Sequence, residues 1–279
     1  MLKELEKKKV FSGYQYRYQH DSQVLKCSMV FTLFLPKLDN KQTIPLIWWL
    51  SGLTCDDQNF ATKGGFQAYA QANQQAIVIP DTSPRGEGVP DDDAYDLGQG
   101  ASFYLDASQE PWSQNYLMYT YLSQELPELV KSLIPNFSGQ EAIMGHSMGG
   151  YGALMLALRQ PERFQSVSAF APITNPSQVE WGKKAFSNYL GDNHHQWQTY
   201  DPIYLLDQEK VPPMLITQGT ADEFYPNQLT EEAFLSAANQ HNHQVTYNKE
   251  EAYDHSYYTI ASFIGQHLAF HHDHLRDNI

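Results

Sequence analysis

A serine at position 147 is framed as Gly145-His146-Ser147-Met148-Gly149, a spacing suited to acyl transfer through a serine nucleophile. The pattern needs a sharp strand-to-helix turn with a strained backbone, so side chains two residues before and after the serine would collide. Gly145 and Gly149 remove them. Ala142-Ile143-Met144 reads as the end of a buried strand. Tyr151, Leu154, Met155 and Leu158 then recur at helical spacing until Arg159-Gln160-Pro161 stops the pattern. Three fixed positions of common residues arise by chance in about one chain of this length in ten. On these five residues alone, a glycine-rich turn with a capping serine, or an anion site at a helix N-terminus, stays open.

A serine hydroxyl is a poor nucleophile at neutral pH and needs a base, usually a histidine held in its tautomer by a carboxylate. Hydrolases built on such an elbow carry the order Ser, then Asp or Glu, then His. Of the eleven histidines, His20 and His146 precede the serine, and His194 and His195 leave few acids before the next strand. His241 and His243 precede a strand and fall at its wrong end. His267, His271, His272 and His274 belong to a terminal helix or its tail, where a surface position is expected. His255 remains, after the last strand and before the last helix. Asp222, beyond the penultimate strand, is the candidate acid, with Glu223 and Asp254 as rivals and a turn-capping role as its alternative. An oxyanion hole would use the N–H of Met148, directly after the nucleophile, and one from Ser51-Gly52-Leu53-Thr54-Cys55, where Leu53 is the candidate.

These residues must be placed by loops at the carboxyl ends of strands. Apolar runs predict strands at 27–35, 44–50, 76–79, 142–144, 167–170, 214–217 and 244–247. Helices are expected between 50 and 76, at 116–133, after the elbow, at 229–238 and at 257–270. The alternation predicts an α/β fold with a mostly parallel sheet and helices on both faces. A single domain over 1–279 is expected, with the tail beyond about 271 disordered. The charged opening Met1-Leu2-Lys3-Glu4-Leu5-Glu6-Lys7-Lys8-Lys9 lacks the apolar core of a signal peptide, and no run reaches the length of a membrane span. A net charge of −14 without a basic stripe argues against nucleic acid and anionic membranes as partners. Cys27 and Cys55 are too few for a disulfide framework and offer no metal-ligand spacing, which suits a reducing cytoplasm. Asp91-Asp92-Asp93 lacks the ligand spacing of a calcium loop and reads as a solvated turn.

Segments without a general role in hydrolysis are more specific than the elbow. They include Trp49-Leu50-Ser51-Gly52-Leu53-Thr54-Cys55, Pro80-Asp81-Thr82-Ser83-Pro84-Arg85-Gly86, Pro111-Trp112 and Tyr116-Leu117-Met118-Tyr119. Further ones are Gly145-His146-Ser147-Met148-Gly149-Gly150, Trp181-Gly182-Lys183-Lys184-Ala185-Phe186, Gly191-Asp192 and Tyr253-Asp254-His255-Ser256-Tyr257-Tyr258. Through most of its length the chain resembles the S-formylglutathione hydrolase (esterase D) family of α/β-hydrolases. The resemblance implies a triad of Ser147, Asp222 and His255, oxyanion amides at Leu53 and Met148, and no cofactor or metal. It implies hydrolysis of S-formylglutathione to formate and glutathione, the last step of formaldehyde detoxification. Lys63, Arg85, Lys183 and Lys184 are candidates for holding the anionic glutathione portion, or ordinary surface charges, and Cys55 either faces the site or is an inert buried thiol. A homodimer is compatible with the sequence and not determined by it. Rival readings are a carboxylesterase for short-chain, acylated-sugar or feruloyl esters and a non-catalytic binding module, whose expected lost triad member is not found.

Overall fold

In β4 (Ile44–Leu50) the side chains of Leu46, Trp48 and Leu50 join one apolar layer and those of Ile47 and Trp49 the other. Period-two alternation of this kind requires a sheet covered on both faces. β5 (Ala76–Pro80) repeats it, with Ala76 and Val78 on the first face and Ile77 and Ile79 on the second. The computed structural model describes residues 2–37 and 43–275. Nine strands form one sheet in the order β1-β2-β3-β5-β4-β6-β7-β8-β9. The pairs from β1 to β5 are antiparallel, and those from β5 through β4, β6, β7 and β8 to β9 are parallel. This is the mostly parallel α/β-hydrolase arrangement expected.

β3 (Ser28–Leu35), β6 (Phe137–His146), β7 (Phe164–Phe170), β8 (Met214–Gly219) and β9 (Val245–Glu250) fall on the expected runs. β1 (Lys3–Val10) and β2 (Gly13–Asp21) form a hairpin that the apolar pattern misses, because β1 is exposed along its length apart from half-buried Val10. The register sets Leu50 beside Gly145, Gly145 beside Ala169, Phe170 beside Thr217 and Gly219 beside Glu250. The carboxyl ends of β4, β6, β8 and β9 therefore open at one edge of the sheet.

The Met148–Arg159 helix covers one face through Tyr151, Leu154, Met155 and Leu158, and the Tyr257–Leu275 helix covers the other through Ile260, Phe263, Ile264 and Leu268. Two expectations for this last helix need correction. It continues through residues 271–275, with His271 and Leu275 buried, so order extends past the expected limit; residues 276–279 lie outside the described residues. His267 and His271 are fully buried rather than on the surface. They stand four residues apart on the stripe facing the sheet, where β7 presents Ser166 and Ser168. His271 bonds both serines at 2.8 Å, and His267 bonds Ser168 at 2.8 Å and Thr217 at 3.0 Å. Imidazole polarity is thus satisfied inside the core.

Candidate active site

β6 ends at His146 and the next helix begins at Met148, leaving Ser147 in the turn between them at φ 58° and ψ −120°. That positive φ is unfavourable for a residue with a side chain and is tolerated where surrounding contacts fix it. The Ser147 N–H donates to the carbonyl of Phe170 at 2.9 Å, and the Ser147 carbonyl accepts from the N–H of Tyr151 at 3.0 Å. A Cβ on Gly149 would lie 2.0 Å from the Leu50 carbonyl oxygen, and one on Gly145 would lie 2.2 Å from that of Gly149. The elbow is thus pressed against the end of β4, and both positions are closed to larger residues.

Asp222 lies in the loop after β8 and His255 in the loop after β9, and the structure brings them together: His255 Nδ1 is 2.6 Å from Asp222 Oδ2. The carboxylate is itself oriented, accepting from Gln218 Nε2 at 3.1 Å and from the N–H of Phe224 at 2.9 Å. Glu223 is exposed. Asp254 accepts from the N–H and hydroxyl of Ser256 at 3.0 and 2.6 Å. Of the three acids considered, Asp222 is the one bonded to His255. With Nδ1 engaged, Nε2 is the nitrogen left for proton transfer.

Leu53 sits in the turn after β4, flanked by the Thr54 N–H donating to Gly100 (2.9 Å) and the Cys55 N–H donating to Gly52 (3.3 Å). Met148 opens its helix, so its N–H lies in the first turn, where no intrahelical acceptor exists. Leu53, Ser147 and His255 line one cavity of about 280 Å³.

Tyr95, Trp181, Phe224 and Tyr257 complete its walls, together with Cys55 and His146. Trp181 and Tyr257 stand in segments that carry the family resemblance, but sequence reasoning assigned none of these aromatics a place in the site, because loop aromatics carry no periodic signal. Trp181 Nε1 donates to Tyr95 Oη at 3.0 Å, joining two walls. His146, set aside in the search for a base, packs its ring 4.4 Å from that of His255. Cys55 faces the cavity, and burial pushes its thiol above the ordinary value.

The four candidate cations separate. Arg85 Nε is 3.0 Å from both oxygens of Asp81, with its Nη2 donating to the Cys55 carbonyl at 2.8 Å. Lys184 pairs with Asp96. Lys63 lies 5.7 Å above the ring of Tyr257, at the cavity wall. Lys183 lines a separate surface depression with Trp197. Asp91, Asp92 and Asp93 are exposed, with Asp91 and Asp92 bonded to nearby main-chain N–H groups. Among the described residues no group of three or more His, Cys, Asp or Glu is placed to hold a metal ion, and no helix is long and apolar enough to cross a membrane.

The family model described as "Putative esterase" matches residues 22–274. The chain is similar to an S-formylglutathione hydrolase from Agrobacterium tumefaciens, at 40% identity over 98% of this chain and 99% of that one, with a TM-score of 0.95. A fluorophosphonate-binding serine hydrolase F from Staphylococcus aureus shares the fold at 20% identity, 93% and 98% coverage and a TM-score of 0.74. A ferulic acid esterase shares it at 16% identity, 94% and 99% coverage and a TM-score of 0.72. A family match across nearly the whole chain and a full-length relative at 40% identity agree with the geometry of the elbow, and the chain belongs to the esterase family of α/β-hydrolases that includes the S-formylglutathione hydrolases.

Proposed function

We propose that the protein is a serine thioesterase that hydrolyses S-formylglutathione to formate and glutathione. The observation that carries this reading is the end-to-end similarity to the Agrobacterium tumefaciens enzyme, with a TM-score of 0.95. The local geometry supports the chemistry. Ser147 Oγ attacks the formyl carbon while its proton passes to His255 Nε2, and Asp222 at 2.6 Å stabilises the imidazolium. The N–H groups of Leu53 and Met148 receive the oxyanion, where one such donor is worth about 3 kcal/mol in the tetrahedral state. Collapse breaks the C–S bond, and the thiolate takes the proton from His255. Water, deprotonated by the same imidazole, then attacks the formyl-serine and releases formate. No cofactor enters this scheme.

With Arg85 and Lys184 engaged by Asp81 and Asp96, Lys63 beside Tyr257 is the favoured contact for a glutathione carboxylate. In this reading the enzyme acts in the cytoplasm, where glutathione is abundant and free thiols such as Cys27 and Cys55 persist, and it completes the removal of formaldehyde captured by glutathione.

The aromatic walls formed by Tyr95, Trp181, Phe224 and Tyr257 favour one second reading, an esterase for aryl or feruloyl esters. Turnover of S-formylglutathione, S-acetylglutathione, a short aryl acetate and a feruloyl ester on one purified sample separates the two. The formyl thioester is expected to have the highest kcat/KM. Preference for an oxygen ester overturns the proposal.

A further inference from the structure

The segment Pro80-Asp81-Thr82-Ser83-Pro84-Arg85-Gly86 supplies no member of the triad and no oxyanion donor. It leaves β5 beside β4, whose own end opens into the oxyanion turn. Thr82 Oγ1 donates to the Cys55 carbonyl at 2.5 Å, and Arg85 Nη2 donates to the same oxygen at 2.8 Å. The Ser83 hydroxyl accepts from the Gly100 N–H at 2.7 Å, and the Gly100 carbonyl accepts from the Thr54 N–H at 2.9 Å. Thr54 and Cys55, the two residues after Leu53, are thus tied to this one segment, directly or through Gly100.

Those bonds have strain to oppose. Thr54 stands at φ 68°, unfavourable for a residue branched at Cβ and kept only where its surroundings fix it. A change in that angle alters the path of the turn, and with it the aim of the Leu53 N–H. An oxyanion donor is effective only when it points at the developing charge from 2.7 to about 3.1 Å. Arg85 is itself braced, with Nε 3.0 Å from both oxygens of Asp81. Asp81 is buried and also accepts from the Thr82 N–H at 2.7 Å. Burial raises its carboxyl to about 6 against the pull of Arg85, so the pair is charged at neutral pH. One edge of the planar guanidinium faces the carboxylate and another nitrogen faces the Cys55 carbonyl, a division that suits its fixed fork of donors.

We propose that Arg85, braced by Asp81, is a positioning residue for the oxyanion hole: it fixes the Cys55 carbonyl and so keeps the Leu53 N–H aimed at the tetrahedral oxygen. The inference rests on the acyl-transfer reading above. It gives Arg85 a role other than contact with the glutathione portion, and it gives the whole Asp81–Arg85 stretch a mechanical purpose in holding the turn after β4.

The test compares Arg85→Met with the wild type on S-formylglutathione, a short aryl acetate and the inhibitor phenyl trifluoromethyl ketone. The ketone carbon adds the Ser147 hydroxyl oxygen, the proton passes to His255, and the hemiketal oxyanion occupies the hole. Arg85→Met is expected to lower kcat by about 10- to 100-fold on each substrate the wild type turns over and to leave KM within about twofold. The Ki of the ketone should rise by a factor similar to the loss in kcat. Wild-type kcat and Ki overturn the proposal, as does a loss of kcat with an unchanged Ki. A rise in KM for the thioester alone also overturns it, and makes Arg85 a contact for the glutathione portion. Where Arg85→Met does not fold, the double variant Asp81→Asn/Arg85→Met, which leaves no unpaired buried charge, is judged by the same criteria. The other readings fail separately. A wild type that cleaves the aryl acetate and not the thioester removes the substrate assignment while the aryl acetate still tests Arg85, and a wild type that the ketone does not inhibit removes the acyl-transfer reading itself.

Discussion

Strain at Ser147 separates catalysis from stability at the scale of one residue. A non-glycine residue at φ 58° and ψ −120° costs on the order of 1–3 kcal/mol. Ser147→Ala keeps that strain and loses the proposed nucleophile, so kcat is expected to fall by at least about 10⁴-fold with little change in Tm. Ser147→Gly also loses turnover, yet relieves the strain and raises stability by about 1 kcal/mol. Denaturation curves of the two variants read the difference directly, and equal midpoints would place no strain at the elbow. Cys55 offers the contrasting case of a reactive group type held unreactive. Burial pushes its thiol up, which keeps the thiolate fraction small near neutral pH and lets it grow as pH rises. Iodoacetamide should therefore inactivate the wild type slowly and faster at higher pH, while Cys55→Ser remains active and resists the reagent. Persistent sensitivity of Cys55→Ser would assign inactivation to another group.

The elements that carry these residues were legible in the sequence wherever burial on both faces produced apolar runs, as in β4, β5, β7 and β8. Loop position relative to those strands was enough to place Asp222 and His255 at one edge. The β1–β2 hairpin was not legible, because an exposed ribbon such as Lys3–Val10 has no face to mark it. The terminal helix was legible in place but not in burial, since the serines that satisfy His267 and His271 lie about a hundred residues away on β7. That buried pair has a consequence for pH. Both imidazoles are held below their ordinary value by burial, His271 down to about 3. Above the unfolded imidazole value near 6.5 the pair costs nothing by titration. As pH falls below it, the unfolded chain binds protons that the folded chain does not, and stability declines by about 1.4 kcal/mol per pH unit for each histidine. Urea midpoints taken from about pH 7 to 5 should fall, and His271→Gln, which cannot titrate, should flatten the slope by about one proton. An unchanged slope would mean that His271 is not buried in solution. The elbow helix gives a simpler expectation: Gly149→Ala forces a Cβ to 2.0 Å from the Leu50 carbonyl and should cost about 3 kcal/mol.

For the molecule as a whole, charge sets the long-range approach of substrate. The net charge of −14 surrounds the site with a field that repels an anionic thioester, while Lys63 near Tyr257, the contact proposed above, would attract it only at close range. These two effects respond oppositely to salt. Repulsion summed over the surface acts across distances longer than the roughly 10 Å Debye length of 0.1 M salt, so screening removes most of it. A contact at the cavity wall is partly shielded from ions and loses less. The kcat/KM for S-formylglutathione should therefore rise on the order of a few-fold as sodium chloride increases from about 0.02 to 0.3 M, with the neutral aryl acetate nearly unaffected. In Lys63→Met the absolute kcat/KM for the thioester should drop while the upward slope with salt persists, since the field of the whole protein is almost unchanged. A downward slope in the wild type that vanishes in Lys63→Met would instead make the local cation, not the acidic surface, the dominant influence on capture.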